Sequence, residues 1–419
     1  MRMMRMLSRH RGGPPVARNP LRRPRGRAVR AGIAAALLMS AAACGGGDGG
    51  GGGDSGGGDS GGGGLPDTIR LVSVNPTTGV VAFAGNAANK GYQLAVEEIN
   101  SSDLLGGSTL QLDLVDTKSE AQTAAQQATT AIADQDVSAI FGSVSSAEAV
   151  AMSPLLQKQG LPVVYTQAGS EGVIAGDYTW RATPLMSSYY PIVSRFVEEQ
   201  GARSIGVVYT SALPTLDEVG STTIPQMAKD LGIQVTASID TPATTQDFSA
   251  PISQVLDTNP DIMAILQTGA SNVTAMQQLR QAGYTGPVLG NSGAGAGNLK
   301  PAGADGAGMV WPVDFNYQQT ATSSQDFVQA YRAKYDEDPL NYAAEAYDAA
   351  YFLARSIAAA GSADRAAIKD AMVEEGTKTF DGALGEGLSW EDNTIVVPGV
   401  VVQWNGTAEE ILYEASAQD

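Results

Sequence analysis

The sequence predicts an α/β protein made of two lobes, each organised around a parallel sheet. Three observations carry that expectation. From Ile69 onward, short apolar runs alternate strictly with amphipathic segments, the pattern of strands joined by helices that cover both faces of a parallel sheet. The pattern restarts at Tyr189 and runs a second time. The chain also has 419 residues, more than one ordinary core organises and suited to two.

In order, residues 69–74 read as the first strand, which Asn75-Pro-Thr-Thr-Gly79 turns. Residues 86–100 follow as an amphipathic helix with Ala87, Leu94, Ala95 and Ile99 inward. Residues 110–115 and 120–133 repeat strand and helix. Residues 137–141 (Val-Ser-Ala-Ile-Phe) are a short, mainly apolar run, long enough for a strand buried on both faces. Gly142 and the serines after it break that run and start a helix over 147–159, and Ser145 or Ser146 is placed to cap it by accepting a backbone N–H. The free N–H groups and partial positive charge of a helix N-terminus make a seat for a carboxylate or another acceptor. Residues 162–165 form the next strand, and its exit, Gln167 to Ser170, should lie beside that seat. Taken alone, such a turn is ordinary and its serines merely cap.

The second run alternates helices at 189–199, 223–231, 248–256 and 272–281 with strands at 204–209, 234–239, 262–267 and 288–290. Three helices follow at 325–335, 342–360 and 363–375, then strands at 388–390 and 395–404. Helices and a hairpin of this kind do not make a third α/β domain, so they should return and complete the two lobes.

The first 43 residues differ from the rest. They hold ten arginines, no acid and the only histidine, His10, followed by an apolar run too short for a permanent membrane span. That is a secretion signal. Ala41-Ala42-Ala43-Cys44 puts small residues before the sole cysteine, and fifteen of the next twenty residues are glycine, with Asp and Ser as the rest. The stretch 45–64 cannot bury apolar area and reads as a flexible tether, roughly 25 Å long by random-coil scaling. Without the leader, 16 basic residues face 44 acids, a formal charge of −28. So acidic a body excludes nucleic acid, whose binding rests on phosphate neutralisation, and offers no basic face to anionic lipid.

The same cleavage removes the only histidine, and no free cysteine is left, so Ser-His-Asp and Cys-His nucleophiles and His or Cys metal sites are absent from the expected mature chain. No carboxylate pair stands in a recognisable motif. Gly293-Ala-Gly-Ala-Gly297 lacks the spacing of a phosphate loop and reads as a loop after the last strand of a lobe. The expectation is a non-enzyme with no cofactor and no metal.

A series of short motifs then points to one family. Gly91-Tyr-Gln-Leu-Ala-Val-Glu-Glu-Ile-Asn100, Phe141-Gly142-Ser143, Ser153-Pro154, Gly160-Leu-Pro162 and Asp247-Phe-Ser249 occur in order. Asn259-Pro-Asp-Ile262, Leu279-Arg-Gln-Ala-Gly283, Ala346-Tyr-Asp-Ala349 and Phe380-Asp-Gly382 continue them. Together they resemble the leucine/isoleucine/valine-binding proteins, the extracellular solute-binding subunits of branched-chain-type ABC transporters, and Ala41 to Cys44 resembles a bacterial lipobox. The resemblance implies a type I periplasmic-binding-protein fold, two Rossmann-like lobes joined by three crossover hinges near 182–185, 311–314 and 382–387. The first lobe would take residues 65–184 and 313–384, the second 185–312 and 385–419, after a leader at 1–43 and a tether at 44–64.

The resemblance also implies a cleft site. Ser146, with Ser145 beside it, matches the hydroxyl that holds a ligand carboxylate, Gln167 and Ala168 the neighbouring backbone contacts, and Ser170 a second hydroxyl (or Gly169, in a shifted register). Phe83 and Ala84 stand at the first-loop position that covers the ligand side chain. The second lobe departs from the pattern. Ser292 stands where branched-chain amino-acid binders place a carboxylate for the α-ammonium. The tyrosine expected near Ala270–Ser271 is absent, and Leu213–Pro214 replace another aromatic. A buried ammonium without its carboxylate is costly, which argues against an ordinary α-amino acid. The expectation is therefore a monomeric receptor for a small carboxylate, amide or amino-acid-like solute, lipid-anchored through Cys44 and delivering to an ABC permease and ATPase. The alternative is a sensor of the same fold that signals to a membrane partner.

Overall fold

The computed structural model describes residues 64–295 and 297–414. The leader, Cys44 and the glycine-rich stretch through residue 63 lie outside the described residues. The first run forms β1 (Thr68–Asn75), α1 (Ala82–Asn100), β2 (Thr109–Asp116), α2 (Ala121–Ala133), β3 (Val137–Phe141), α3 (Ser146–Gln159), β4 (Val163–Tyr165) and β5 (Thr179–Arg181). The second forms α4 (Tyr190–Glu199), β6 (Ser204–Tyr209), α5 (Pro214–Glu218), α6 (Ile224–Leu231), β7 (Gln234–Asp240), α7 (Ser249–Leu256), β8 (Ile262–Leu266), α8 (Gly269–Gln281), β9 (Val288–Leu289) and β10 (Met309–Val313). The remainder is α9 (Thr322–Tyr335), α10 (Asn341–Ala360), α11 (Arg365–Glu375), β11 (Phe380–Gly382), β12 (Gly385–Glu391), β13 (Thr394–Val396), β14 (Val400–Trp404) and β15 (Glu409–Glu414).

Two sheets result, ordered β2-β1-β3-β4-β5-β13-β12-β11 and β7-β6-β8-β9-β10-β14-β15. Strands β1 to β5 pair in parallel in the first sheet, and β6 to β10 in the second. Central strands β3 and β8 are buried at every residue, whereas edge strands β2 and β7 are partly exposed and carry Asp, Gln and Thr. Apolar cores lie on both faces of each sheet. Helices α9, α10 and α11 return to the first core, where α10 is buried along most of its length against α1. The two helices approach so closely that a Cβ on Gly91 would stand 2.1 Å from the Ala343 carbonyl oxygen.

The chain passes between the sheets after β5, after β10 and after β13. The third passage corrects the expected one at 382–387. Residues 385–391 and 394–396 are strands of the first sheet, so the chain crosses at 397–399 and the first lobe keeps residues expected in the second. The apolar stretch 395–404 conceals the break. Pro398 cannot donate to a ladder and Gly399 takes a φ of +76°, so one sequence run makes two strands in two sheets. The second-lobe helix expected from residue 223 also begins earlier: α5 opens at Pro214 and one π-helical turn, Val219–Thr223, joins it to α6.

Candidate functional site

The first wall of the interlobe cleft begins at the exit of β3. A Cβ on Gly142 would lie 2.2 Å from the Tyr165 ring, so the strand leaves the sheet where only glycine fits. A buried polar chain then fixes the turn: Val144 N–H donates to Asn75 Oδ1 at 3.0 Å, Asn75 Nδ2 to Ser73 Oγ at 2.9 Å, and Ser73 Oγ to Asn89 Oδ1 at 2.7 Å. Ser145 occupies the cap position of α3, but its hydroxyl makes no capping bond. Ser146 does not cap either. Its Oγ bonds Thr215 Oγ1 across the cleft at 2.9 Å and accepts the Ser170 N–H at 3.3 Å. Ser143 takes over the local role, accepting the Ser145 N–H at 3.0 Å and donating to Glu148, a buried first-turn carboxyl whose pKa burial raises.

The second part of this wall is the loop after β4. Gln167 adopts φ +49°, and its N–H donates to Glu345. That N–H is therefore committed inside the protein, while the side chain reaches across the cleft. Gln167 Oε1 accepts from Asn341 at 2.6 Å and Nε2 donates to Ser292 Oγ, in the second lobe, at 3.3 Å. Beneath the loop, buried Arg181 donates to the carbonyls of Ala168 (3.2 Å) and Ser170 (2.8 Å) and to Thr394 Oγ1 (3.0 Å). Burial lowers its pKa to about 10, which leaves it charged at neutral pH. Ala168 and Ser170 thus support the wall from behind.

Phe83, Ser145, Ser146 and Gln167 from the first lobe and Pro214 and Ser292 from the second line one cavity of about 70 Å³. Thr215, Thr268, Asn291 and Tyr342 join them there, and sequence reading missed all four. Only Tyr342 carried a signal, standing at the start of a helix just after Pro339. Ser271 does not reach this cavity and lines a neighbouring one of about 130 Å³. Two helix N-termini border the 70 Å³ cavity from opposite lobes, that of α3 at Ser145–Ser146 and that of α8 at its cap Thr268. Among the described residues, no Asp, Glu, Lys or Arg lines it. Phe83 packs edge-on to Tyr342 with ring centroids 5.7 Å apart. Phe83 and Ser292 also line a third interlobe cavity, of about 750 Å³.

Behind Gln167 sits a buried pair of acids. Burial, with Asp314 as the next cause, holds Glu345 well above the ordinary carboxyl range; burial pushes Asp314 up to about 6. Asp314 directly follows β10, on the second passage between the lobes, and accepts from Thr183 Oγ1, on the first passage, at 3.3 Å. Among the described residues, no three His, Cys, Asp or Glu side chains group as metal ligands.

Comparisons with known proteins agree with this geometry. A family model described as periplasmic binding protein matches residues 68–409. Leu/Ile/Val-binding protein homolog 7 of Brucella abortus is 25% identical over 353 residues, covering 78% of this chain and 86% of the relative. The solved leucine binding protein LivK of Thermotoga maritima superposes with a TM-score of 0.76 at 26% identity, over 84% of this chain and 99% of its own. The branched-chain amino acid transporter substrate binding protein LivJ of Streptococcus pneumoniae, in complex with isoleucine, gives 0.74 at 25% identity, over 82% and 99%.

Proposed function

Because the chain belongs to the periplasmic binding protein family, a family of extracytoplasmic solute-binding proteins, we propose that it serves an ABC permease and that its solute is a small organic acid or amide without an α-ammonium group. The observation that carries this reading is the charge of the 70 Å³ cavity. Hydroxyls of Ser145, Ser146, Thr215, Thr268 and Ser292 line it together with two helix N-termini, and among the described residues no carboxylate does. Helix N-termini favour a carboxylate or carbonyl oxygen. An ammonium desolvated there finds no opposite charge, which costs several kcal/mol. The relatives named above support delivery to a permease over signalling to a membrane partner. In the same reading the receptor acts as a monomer, and Cys44 carries the lipid that holds it at the cell membrane.

Leucine and its deaminated counterpart, 4-methylpentanoate, test the proposal directly by calorimetry on the purified protein. The acid should bind tighter than leucine by at least about tenfold, or 1.4 kcal/mol. Leucine binding as tightly as the acid, or more tightly, overturns it.

A further inference from the structure

The cavity at the two helix N-termini measures about 70 Å³, far below the roughly 300–1,000 Å³ of a pocket that encloses a whole small-molecule ligand. It accommodates a head group. The interlobe cavity beside it measures about 750 Å³ and falls within that range. Phe83 and Ser292 line both, so the two cavities meet at these residues. Ser292 Oγ accepts a 3.3 Å bond from Gln167 and also bonds the Tyr342 hydroxyl, and Phe83 meets Tyr342 edge to face.

We infer that the two cavities are head and tail compartments of one site, and that the solute is an elongated acid or amide whose tail passes Phe83 and Ser292. This rests on the head-group reading above. The walls specify the tail. Buried Trp311, Phe315 and Trp404 back the chamber, each at most 2% exposed, and Asn298, Asn316 and Asn341 line it with amides that already donate to Gly293, Glu409 and Gln167. Glu409, the buried acid of the chamber, already accepts from Asn316 Nδ2 at 2.8 Å. Lys90, Lys300, Asp336, Glu337 and Asp338 also line the chamber, all but Lys90 exposed to solvent, so the buried part, away from these charges, fits an aryl or acylamino tail that brings no full charge of its own.

The test compares a short acid, 4-methylpentanoate, with a long one, 6-(benzoylamino)hexanoate, on the full-length protein by calorimetry. The long acid should bind at least tenfold tighter. Exposed Ala408 lines the tail chamber, and Ala408→Trp fills it from the rim without entering a core. In that variant the long-to-short affinity ratio should collapse toward one. Asn86→Trp, from the opposite lobe, provides an independent block of the same chamber. A long acid that binds no tighter than the short one overturns the inference and leaves the head reading standing, as does a ratio unchanged in both variants. Failure of both acids to bind overturns the head reading and this inference with it.

Discussion

On the first-lobe side of the cleft, buried ionisable groups hold the wall in place. Arg181 grips the carbonyls of Ala168 and Ser170 from below, and Glu345 takes the Gln167 N–H. On the second-lobe side, neutral amides do the equivalent work. Asn291 Nδ2 and Asn272 Nδ2 each donate to the Gln267 carbonyl at 2.9 Å, Asn291 Oδ1 accepts from Gly293, and Gln267 Nε2 donates to Thr241 at 3.1 Å. The two faces nevertheless present similar groups to the cavity, mainly hydroxyls and apolar side chains. The difference lies in the supports. A buried charge is costly unless its bonds are complete, so the first wall is rigid and sensitive to single deletions and to pH. The amide-backed wall loses less when one member goes, because each amide bond contributes only about 1 kcal/mol and Gln267 keeps a second donor.

The largest expected effect breaks this contrast at its strongest point. Arg181→Met leaves two buried carbonyls and the Thr394 hydroxyl without their charged donor, and should lower unfolding free energy by about 2–4 kcal/mol. Asn291→Ala, its second-wall counterpart, should cost about 1–2 kcal/mol. Urea denaturation of both variants decides the matter, and equal losses would remove the distinction between the walls.

A second, smaller effect is pH-dependent. Asp314 titrates at about 6 in the folded chain against an ordinary 3.8, because burial disfavours its charge. The folded state therefore holds a proton that the unfolded chain has released between these values. The stability this supplies is fully present below the unfolded pKa and disappears as pH rises through about 6. Asp314→Asn has no such proton to lose. Its stability relative to wild type should improve by about 2 kcal/mol between pH 4 and pH 7.5. The Asn291→Ala difference should stay flat over the same range. Denaturation midpoints at both pH values measure this, and a flat Asp314→Asn difference would exclude a raised Asp314 pKa.

The parts of the fold and site that sequence made legible are those with local causes. Four apolar residues in five, with only Ser138 polar, make β3 a buried strand wherever it sits, and Gly142-Ser-Val-Ser marks a strand exit by turn chemistry alone. Ser146 was legible because it lies next to such an exit, whereas Ser292 was marked only by the family resemblance. Thr215 and Tyr342 were not, since their membership in the cavity depends on how α5 and α10 approach from far along the chain. Arg181 was hidden for the same reason: a three-residue strand gives no periodicity, and its partners are carbonyls, which leave no trace in sequence. The Pro398-Gly399 crossing was missed because apolar residues on both sides concealed a break written in two letters.

The smallest expected effect asks whether the walls are alike in what they present. Ser145 and Thr268 stand at the cap positions of α3 and α8, on opposite sides, and both line the cavity. A serine or threonine cap ordinarily contributes about 1 kcal/mol, because its oxygen accepts a first-turn N–H. Neither does so here. On the first wall Ser143 instead accepts the N–H of the cap residue Ser145 and donates to Glu148. Ser145→Ala and Thr268→Ala should therefore each change stability by less than about 0.5 kcal/mol. Ser143→Ala should cost about 1–2 kcal/mol, because it leaves the buried Glu148 carboxyl short of a donor. If the cap hydroxyls are held in reserve for solute, the two alanine variants should keep their melting temperatures and weaken 4-methylpentanoate binding. A stability loss near 1 kcal/mol in either would mean that its hydroxyl caps its helix in solution, and the wall concerned would then present one polar group fewer to the cleft.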